Sequence, residues 1–251
     1  AGLRTDNIYN PFPEEVNRRL NSVISTYHYA PTEKAKENLL KENTNEQNIL
    51  VTGNTVIDAL LCTLNEKSEK AKKIREKLGI ENTKYILMTM HRRENWGTPM
   101  KDVMKAAKEI LYEKKDYKLL FPVHLNPTVR EIVYEELKGH ENIILTDPLD
   151  YLPFISVMEK AQLILTDSGG IQEEAPSLGI PTLVLRETTE RPEAIEGGTA
   201  KLVGTNKEKV KKEALLLLND EKEYKKMSGM NNPFGDGKAS ERIRDHLEKS
   251  V

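Results

Sequence analysis

From residue 84 onward, short apolar runs alternate with stretches whose apolar residues fall at helical spacing. The runs cover residues 85–90, 119–123, 143–146, 163–166 and 182–185, with a weaker sixth at 200–203. Between them, segments such as MKDVMKAAKEILYEKK carry an apolar stripe at the period of an α-helix. Continuous apolar strands joined by amphipathic helices predict a parallel sheet covered on both faces. The fold class is α/β, and six such strands suit a doubly wound domain.

Upstream the pattern is thinner. Residues 22–30 (SVISTYHYA) read as one strand, 32–42 as a helix, 48–52 as a second strand and 55–78 as a long helical stretch. Two or three strands are too few for an independent sheet buried on both faces. This part reads as the remnant of another domain, with a boundary between residues 51 and 54. At the far end NNPFGDGKAS is rich in turn formers, and 240–248 reads as a closing helix.

Composition narrows the possibilities. The chain has 251 residues, 37 % hydrophobic but only 6 % aromatic, so its core is built from aliphatic side chains. Lys plus Arg number 38 against 40 Asp plus Glu, a balance that argues against a general nucleic-acid binder. The single cysteine, Cys62, allows neither an internal disulfide nor a cysteine-based zinc site. No apolar run approaches the roughly 18 residues of a membrane span, and the opening AGLRTDNIYN is not a signal peptide. A reducing cytoplasm is the expected location.

Ligands of open parallel sheets bind outside the carboxyl ends of the strands. There the sequence places His91-Arg92-Arg93-Glu94, His124, Asp147, Asp167-Ser168-Gly169-Gly170 and Arg186. Strand ends turn polar whatever their use, so the DSGG segment carries most of the information. Asp167 or Ser168 is expected to cap the following helix. The glycines would let a ligand approach the backbone, and the positive helix end favours an anion such as phosphate. Glu174 could accept from a ribose diol, or with Glu173 simply complement the helix start. Arg191 precedes Pro192, a residue suited to a first helical turn, and its guanidinium would pair with a phosphate. His91 could donate to a pyrophosphate or sit at the surface. His91 and His124 lack metal-ligand spacing, so no metal is expected. Glu14 and Glu15 open a helix; one of them could move a proton if partly buried.

Taken together, AGLRT, PEE followed by NR, GNTVIDALL, HRREN, PVHLNP, DPLDYLPF, LTDSGGIQEEAPSLG, TERPEA and NPFGDG resemble the non-hydrolysing UDP-N-acetylglucosamine 2-epimerases of bacterial and archaeal type. The resemblance runs in order over essentially the whole chain. It implies two Rossmann-like domains of glycosyltransferase-B type, the N-terminal one incomplete here. The expected division is 1–52 for the remnant, 53–232 for the UDP-binding domain, and 233–251 for a closing helix that crosses back. In the family, roughly a hundred residues, the length of a small domain, precede the match to Ala1. They include two catalytic acids.

The resemblance also implies roles. Glu14 matches a catalytic carboxylate, and His91 a catalytic histidine that contacts the pyrophosphate. Ser168, Gly169 and Gly170 match the phosphate-binding turn, Glu174 the ribose acid and Arg191 a nucleotide-binding arginine. Phe154 stands beside the uracil, and Leu149 occupies a uracil-contacting position that is glutamine in some members. Glu14, Arg92 and His124 match positions near a second, activating UDP-N-acetylglucosamine. The implied partners are UDP-N-acetylglucosamine and UDP, with neither a metal nor a nicotinamide cofactor, and a homodimer in the full-length form. The implied reaction interconverts UDP-N-acetylglucosamine and UDP-N-acetylmannosamine. The alternatives are a fragment that binds UDP without turnover, and a related glycosyltransferase.

Overall fold

A computed structural model describes residues 1–9 and 12–250. In chain order its elements are α1 (Glu14–Ile24), β1 (His28–Ala30), α2 (Glu33–Lys41), β2 (Ile49–Val51), α3 (Thr55–Glu66) and α4 (Ser68–Lys77). There follow β3 (Lys84–Thr89), α5 (Thr98–Glu113), β4 (Tyr117–Pro122), α6 (Pro127–Leu137), β5 (Ile143–Thr146) and α7 (Tyr151–Met158). Then come β6 (Leu163–Thr166), α8 (Gly169–Glu174), β7 (Thr182–Val184), α9 (Pro192–Glu196) and β8 (Ala200–Leu202). The chain closes with α10 (Lys207–Asn219), α11 (Glu221–Ser228) and α12 (Ala239–Ser250). Two compact units emerge: Ala1–Cys62 with Asn232–Val251, and Thr63–Asn231. The division falls inside α3.

In the first unit β1 and β2 pair in parallel, His28 opposite Ile49, with Ala35 and Leu39 of α2 packed on Ala30 and Ile49. Thr32 caps α2 by accepting from the Ala35 N–H. The first turn of α12 belongs to this unit. Asp58 accepts from the N–H groups of Ala239 and Ser240 at 3.2 and 2.7 Å, and Arg242 donates to the Thr52 carbonyl. One expectation is corrected here. Residues 22–30 are not a single strand, because α1 runs to Ile24 and the strand begins only at His28. Val16, Leu20, Val23 and Ile24 already fall at helical spacing, and that period overrides the β-branched composition. Likewise 55–78 is two helices, broken at Lys67, whose φ of −126° leaves the helical region.

The second unit is a six-stranded parallel sheet in the order β5-β4-β3-β6-β7-β8. Strand alternation divides its side chains between two faces. Ile86 and Met88 of β3 join Leu119, Phe121 and Leu165 against Met104 and Ile110 of α5 and Val210 of α10. Tyr85 belongs to the opposite face, where its hydroxyl donates to the Val157 carbonyl of α7 at 2.6 Å. Arg75 of α4 is buried and donates to Ser156 O, Glu81 and Glu159, tying α4 to α7. From β3 the chain builds outward through β4 and β5. It then returns to the other side of β3 with β6. That reversal opens a crevice at the carboxyl ends of β3 and β6. Among the described residues no helix is long and apolar enough to cross a membrane.

Candidate functional site

The reversal point is built by three threonine and aspartate contacts. The Thr89 and Thr166 hydroxyls, at the ends of β3 and β6, lie 2.7 Å apart, and Thr166 Oγ1 accepts from the Ser168 N–H. The expectation that Asp167 or Ser168 caps the following helix is corrected here: Ser168 stands at the N-cap position of α8, and no side-chain cap bond is made. Asp167 instead turns toward the segment leaving β3. Its Oδ2 accepts from the N–H groups of His91 and Arg92 at 3.0 and 2.9 Å and from Asn95 Nδ2 at 3.0 Å. Three converging donors outbid one cap bond. Burial alone would raise this carboxyl, but the His91 ring, the Arg92 N–H and Asn95 outweigh it and hold it below the usual aspartate value.

Above this clamp is a cavity of about 300 Å³, lined entirely by the second unit. His91, His124, Leu149, Phe154, Ser168, Gly170 and Glu174 all line it. The His91 and His124 rings stack with centroids 5.6 Å apart and planes 19° from parallel. Glu174, 7 % exposed, accepts from the Tyr151 hydroxyl at 3.3 Å. Burial and the neighbouring Glu173 raise its carboxyl above the usual value despite that bond. Burial and the Glu174 charge push the Tyr151 phenol up to about 12. The cavity thus has an imidazole- and hydroxyl-bearing corner at His91 and Ser168, a carboxyl at Glu174, and an apolar wall at Leu149 and Phe154.

The two glycines play different parts. A Cβ on Gly169 would meet the Arg191 guanidinium at 3.4 Å, so that glycine's open face is already covered by a side chain. A Cβ on Gly170 would meet nothing within 4 Å. Only Gly170 keeps the backbone open to a ligand, which narrows the expectation for the pair. Arg191 itself is held by Glu173 at 2.6 Å and Glu190 at 3.2 Å. Arg92 donates to the Asp167 carbonyl at 3.0 Å and faces Glu190 at 3.4 Å.

Glu14 belongs to the first unit, where it is the exposed first residue of α1. The burial sought for a proton-transferring carboxylate falls on Glu15 instead, 0 % exposed and paired with Arg18 and Arg19. Among the described residues no group of three His, Cys, Asp or Glu could hold a metal ion. Residues that sequence reasoning passed over are Asn95, Tyr151 and Gln172. Gln172 is fully buried, donates to Ser168 O and accepts from Thr189. Each left the same kind of signal, standing inside a quoted motif: Asn95 in HRREN, Tyr151 in DPLDYLPF and Gln172 in LTDSGGIQEEAPSLG.

Known proteins match this arrangement along its length. The Escherichia coli K12 UDP-N-acetylglucosamine 2-epimerase is 48 % identical over 256 residues, taking in 100 % of this chain and 68 % of its own. That of Bacillus subtilis 168 is 50 % identical over 247 residues, 98 % of this chain and 64 % of its own. This chain therefore spans about two thirds of the length of such relatives. Among solved structures, the UDP-GlcNAc 2-epimerase of Neisseria meningitidis bound to UDP-GlcNAc superposes with a TM-score of 0.92 at 46 % identity, covering 99 % of this chain and 68 % of that one. The Methanocaldococcus jannaschii enzyme in complex with UDP-GlcNAc and UDP gives 0.81 at 40 % identity, covering 99 % and 67 %. The profile of one family matches residues 1–248, and with these relatives it places the chain in the UDP-N-acetylglucosamine 2-epimerase family.

Proposed function

We propose that the second unit binds the UDP portion of UDP-N-acetylglucosamine, and that the protein interconverts this sugar nucleotide with UDP-N-acetylmannosamine. The observation that carries the reading is the cavity at the β3–β6 reversal. It combines His91, Ser168, Gly170 and Glu174 in a chain of the same fold as a relative described as bound to UDP-GlcNAc. In this reading Leu149 and Phe154 pack on the uracil and Glu174 accepts from the ribose hydroxyls. Ser168, Gly170 and His91 hold the pyrophosphate, with Arg191 behind the turn adding positive charge.

The C2 proton of the sugar is not acidic. Inversion therefore proceeds by loss of that proton as the anomeric C–O bond breaks. UDP leaves with the bonding pair, and 2-acetamidoglucal remains. Re-addition of UDP to C1 and of a proton to the opposite face of C2 gives the epimer. The site's task is to stabilise charge growing on the β-phosphate, and loss of one such donor raises the barrier by about 3 kcal/mol. Carboxylates move the protons. Glu14 is our candidate for one, and Glu14, Arg92 and His124 for contacts to an activating second sugar nucleotide. We place the protein in the cytoplasm as a homodimer.

Proton NMR of the chain with UDP-N-acetylglucosamine in D₂O tests this. New UDP-N-acetylmannosamine signal with deuterium at C2 is the result expected of the epimerase. Uridine line broadening without turnover favours the second reading, a UDP-binding chain that does not turn over. That reading draws on the chain's span of about two thirds of its relatives' length. An unchanged spectrum rejects both.

A further inference from the structure

Asp167 is 0 % exposed, and its carboxylate meets four donors. Three of them, the N–H groups of His91 and Arg92 and the Asn95 amide, converge on Oδ2. The fourth is the ring of His91, whose Nδ1 lies 3.2 Å from Oδ1. The His91 N–H also reaches Oδ1 at 3.2 Å. An ionised carboxylate accepts and cannot donate. The nitrogen that faces it therefore carries the proton.

We propose that Asp167 is the positioning residue of His91: it fixes the ring proton on Nδ1 and makes Nε2 the nitrogen that meets the ligand. This rests on the reading of the cavity as a UDP site. A neutral His91 then presents a bare Nε2. A ring protonated on both nitrogens donates through each, Nδ1–H to Asp167 and Nε2–H to a phosphate oxygen. Such a charge-assisted bond is about twice as strong as a neutral one. When Nε2 carries a proton, that proton passes to the β-phosphate oxygen that takes the bonding pair as UDP leaves, and it returns from that oxygen to Nε2 as the C–O bond re-forms. Two further contacts hold His91, one at its backbone and one at its ring. Trp96 donates from Nε1 to the His91 carbonyl at 3.2 Å, and His124 stacks on its face. His124 takes the Asn126 N–H on its own Nδ1, which leaves that ring's proton on Nε2.

The substitution Asp167→Asn isolates this role. Its amide oxygen in the Oδ2 position keeps all three converging donors, and its NH₂ group in the Oδ1 position donates to His91 Nδ1. A role confined to tying β3 to β6 would leave the ring unchanged. The experiment is a long-range proton–nitrogen correlation on the ¹⁵N-histidine-labelled 251-residue chain without ligand, with His91→Gln to assign the signals. UDP affinity is measured by calorimetry alongside. The expected result is a wild-type His91 ring that carries a proton on Nδ1, a shift of that proton to Nε2 in D167N, and UDP affinity lower by roughly tenfold or more. A wild-type ring protonated on Nε2 alone, an unmoved proton in D167N, or wild-type UDP affinity in D167N would overturn the proposal. Should D167N fail to fold, the wild-type spectrum decides by itself. Should the wild-type chain bind no UDP, the UDP reading fails, and the ligand-free ring signal still decides the part of Asp167.

Discussion

Asp167 stands just before α8 and Glu174 ends it. Both carboxylates are buried, and the protein treats them oppositely. Asp167 is surrounded by donors from a segment far away in the chain, and its carboxyl is held below the usual value. Glu174 has a phenol for a partner and Glu173 as a like-charged neighbour, and its carboxyl is raised. Burial disfavours charge in both places, so the donors at Asp167 and their scarcity beside a like charge at Glu174 decide the sign. A carboxylate already supplied with donors is part of the scaffold. One left short, at a cavity wall, is arranged for donors that a ligand brings.

The comparison makes its largest demand on Asp167. Replacement by alanine leaves the backbone N–H groups of His91 and Arg92 without this acceptor and leaves Asn95 Nδ2 with only the Leu185 carbonyl. A loss of about 3–5 kcal/mol of stability is expected, to be read by denaturant unfolding. A loss below about 1 kcal/mol would mean that the loop finds other acceptors and that Asp167 is no scaffold residue. At Glu174 the order of effects reverses. Glu174→Gln should be somewhat more stable than the wild type at pH 7 but lower UDP affinity by roughly ten- to hundredfold, the worth of hydrogen bonds to a charged acceptor. 2′-Deoxy-UDP should lose most of its affinity for the wild type and little more for E174Q. Equal calorimetric affinities of E174Q and wild type would remove Glu174 from the site.

The same pair differs in pH dependence. Glu174 binds its proton more tightly folded than unfolded, so its contribution to stability falls as pH rises from the unfolded value, about 4.3, through the raised folded value. Glutamine escapes that loss. The melting temperature of E174Q minus that of wild type should therefore be near zero below about pH 4 and more positive above the raised value. Asp167 runs the other way. Its contribution is present above its unfolded value of about 3.9 and is lost as pH falls through the depressed folded one. A melting series in which E174Q gains nothing at neutral pH would remove the contrast.

Much of this was legible in the sequence. The six apolar runs became the six parallel strands, because a strand buried on both faces must be apolar throughout. The strand-end rule led to His91, His124 and Ser168, and these line one cavity. The role of Asp167 was not legible, since its partners lie some 70 residues away and a local reading sees only a cap beside a helix. The opposite shifts of Asp167 and Glu174 were hidden for the same reason: donor number is a tertiary property. Residues 22–24 were misread because β-branched composition and helical spacing compete there. Val23 and Ile24 stay 82 % and 80 % exposed on that helix.

The smallest effects sharpen the picture at the turn between the two carboxylates. Gly169 and Gly170 are both helical, so alanine at either position could gain up to about 1 kcal/mol of stability through reduced unfolded-state freedom. Only one of them touches ligand space. At Gly169 the new methyl would rest on the Arg191 guanidinium at 3.4 Å, ordinary contact distance, and the cavity lining would not change. UDP affinity of G169A should stay within about twofold of wild type, well under the 1.4 kcal/mol of a tenfold change. At Gly170 the methyl enters open space on the cavity wall. It would stand where a phosphate has to approach the backbone N–H groups of the first turn, which have no partner within the helix. G170A should therefore melt at or above the wild-type temperature and bind UDP roughly tenfold more weakly, about 1.4 kcal/mol. If instead both variants bind as the wild type does, the pyrophosphate does not rest on this turn. His91 would then be the contact to re-examine first, because its ring lines the same cavity from the opposite side of the strand reversal.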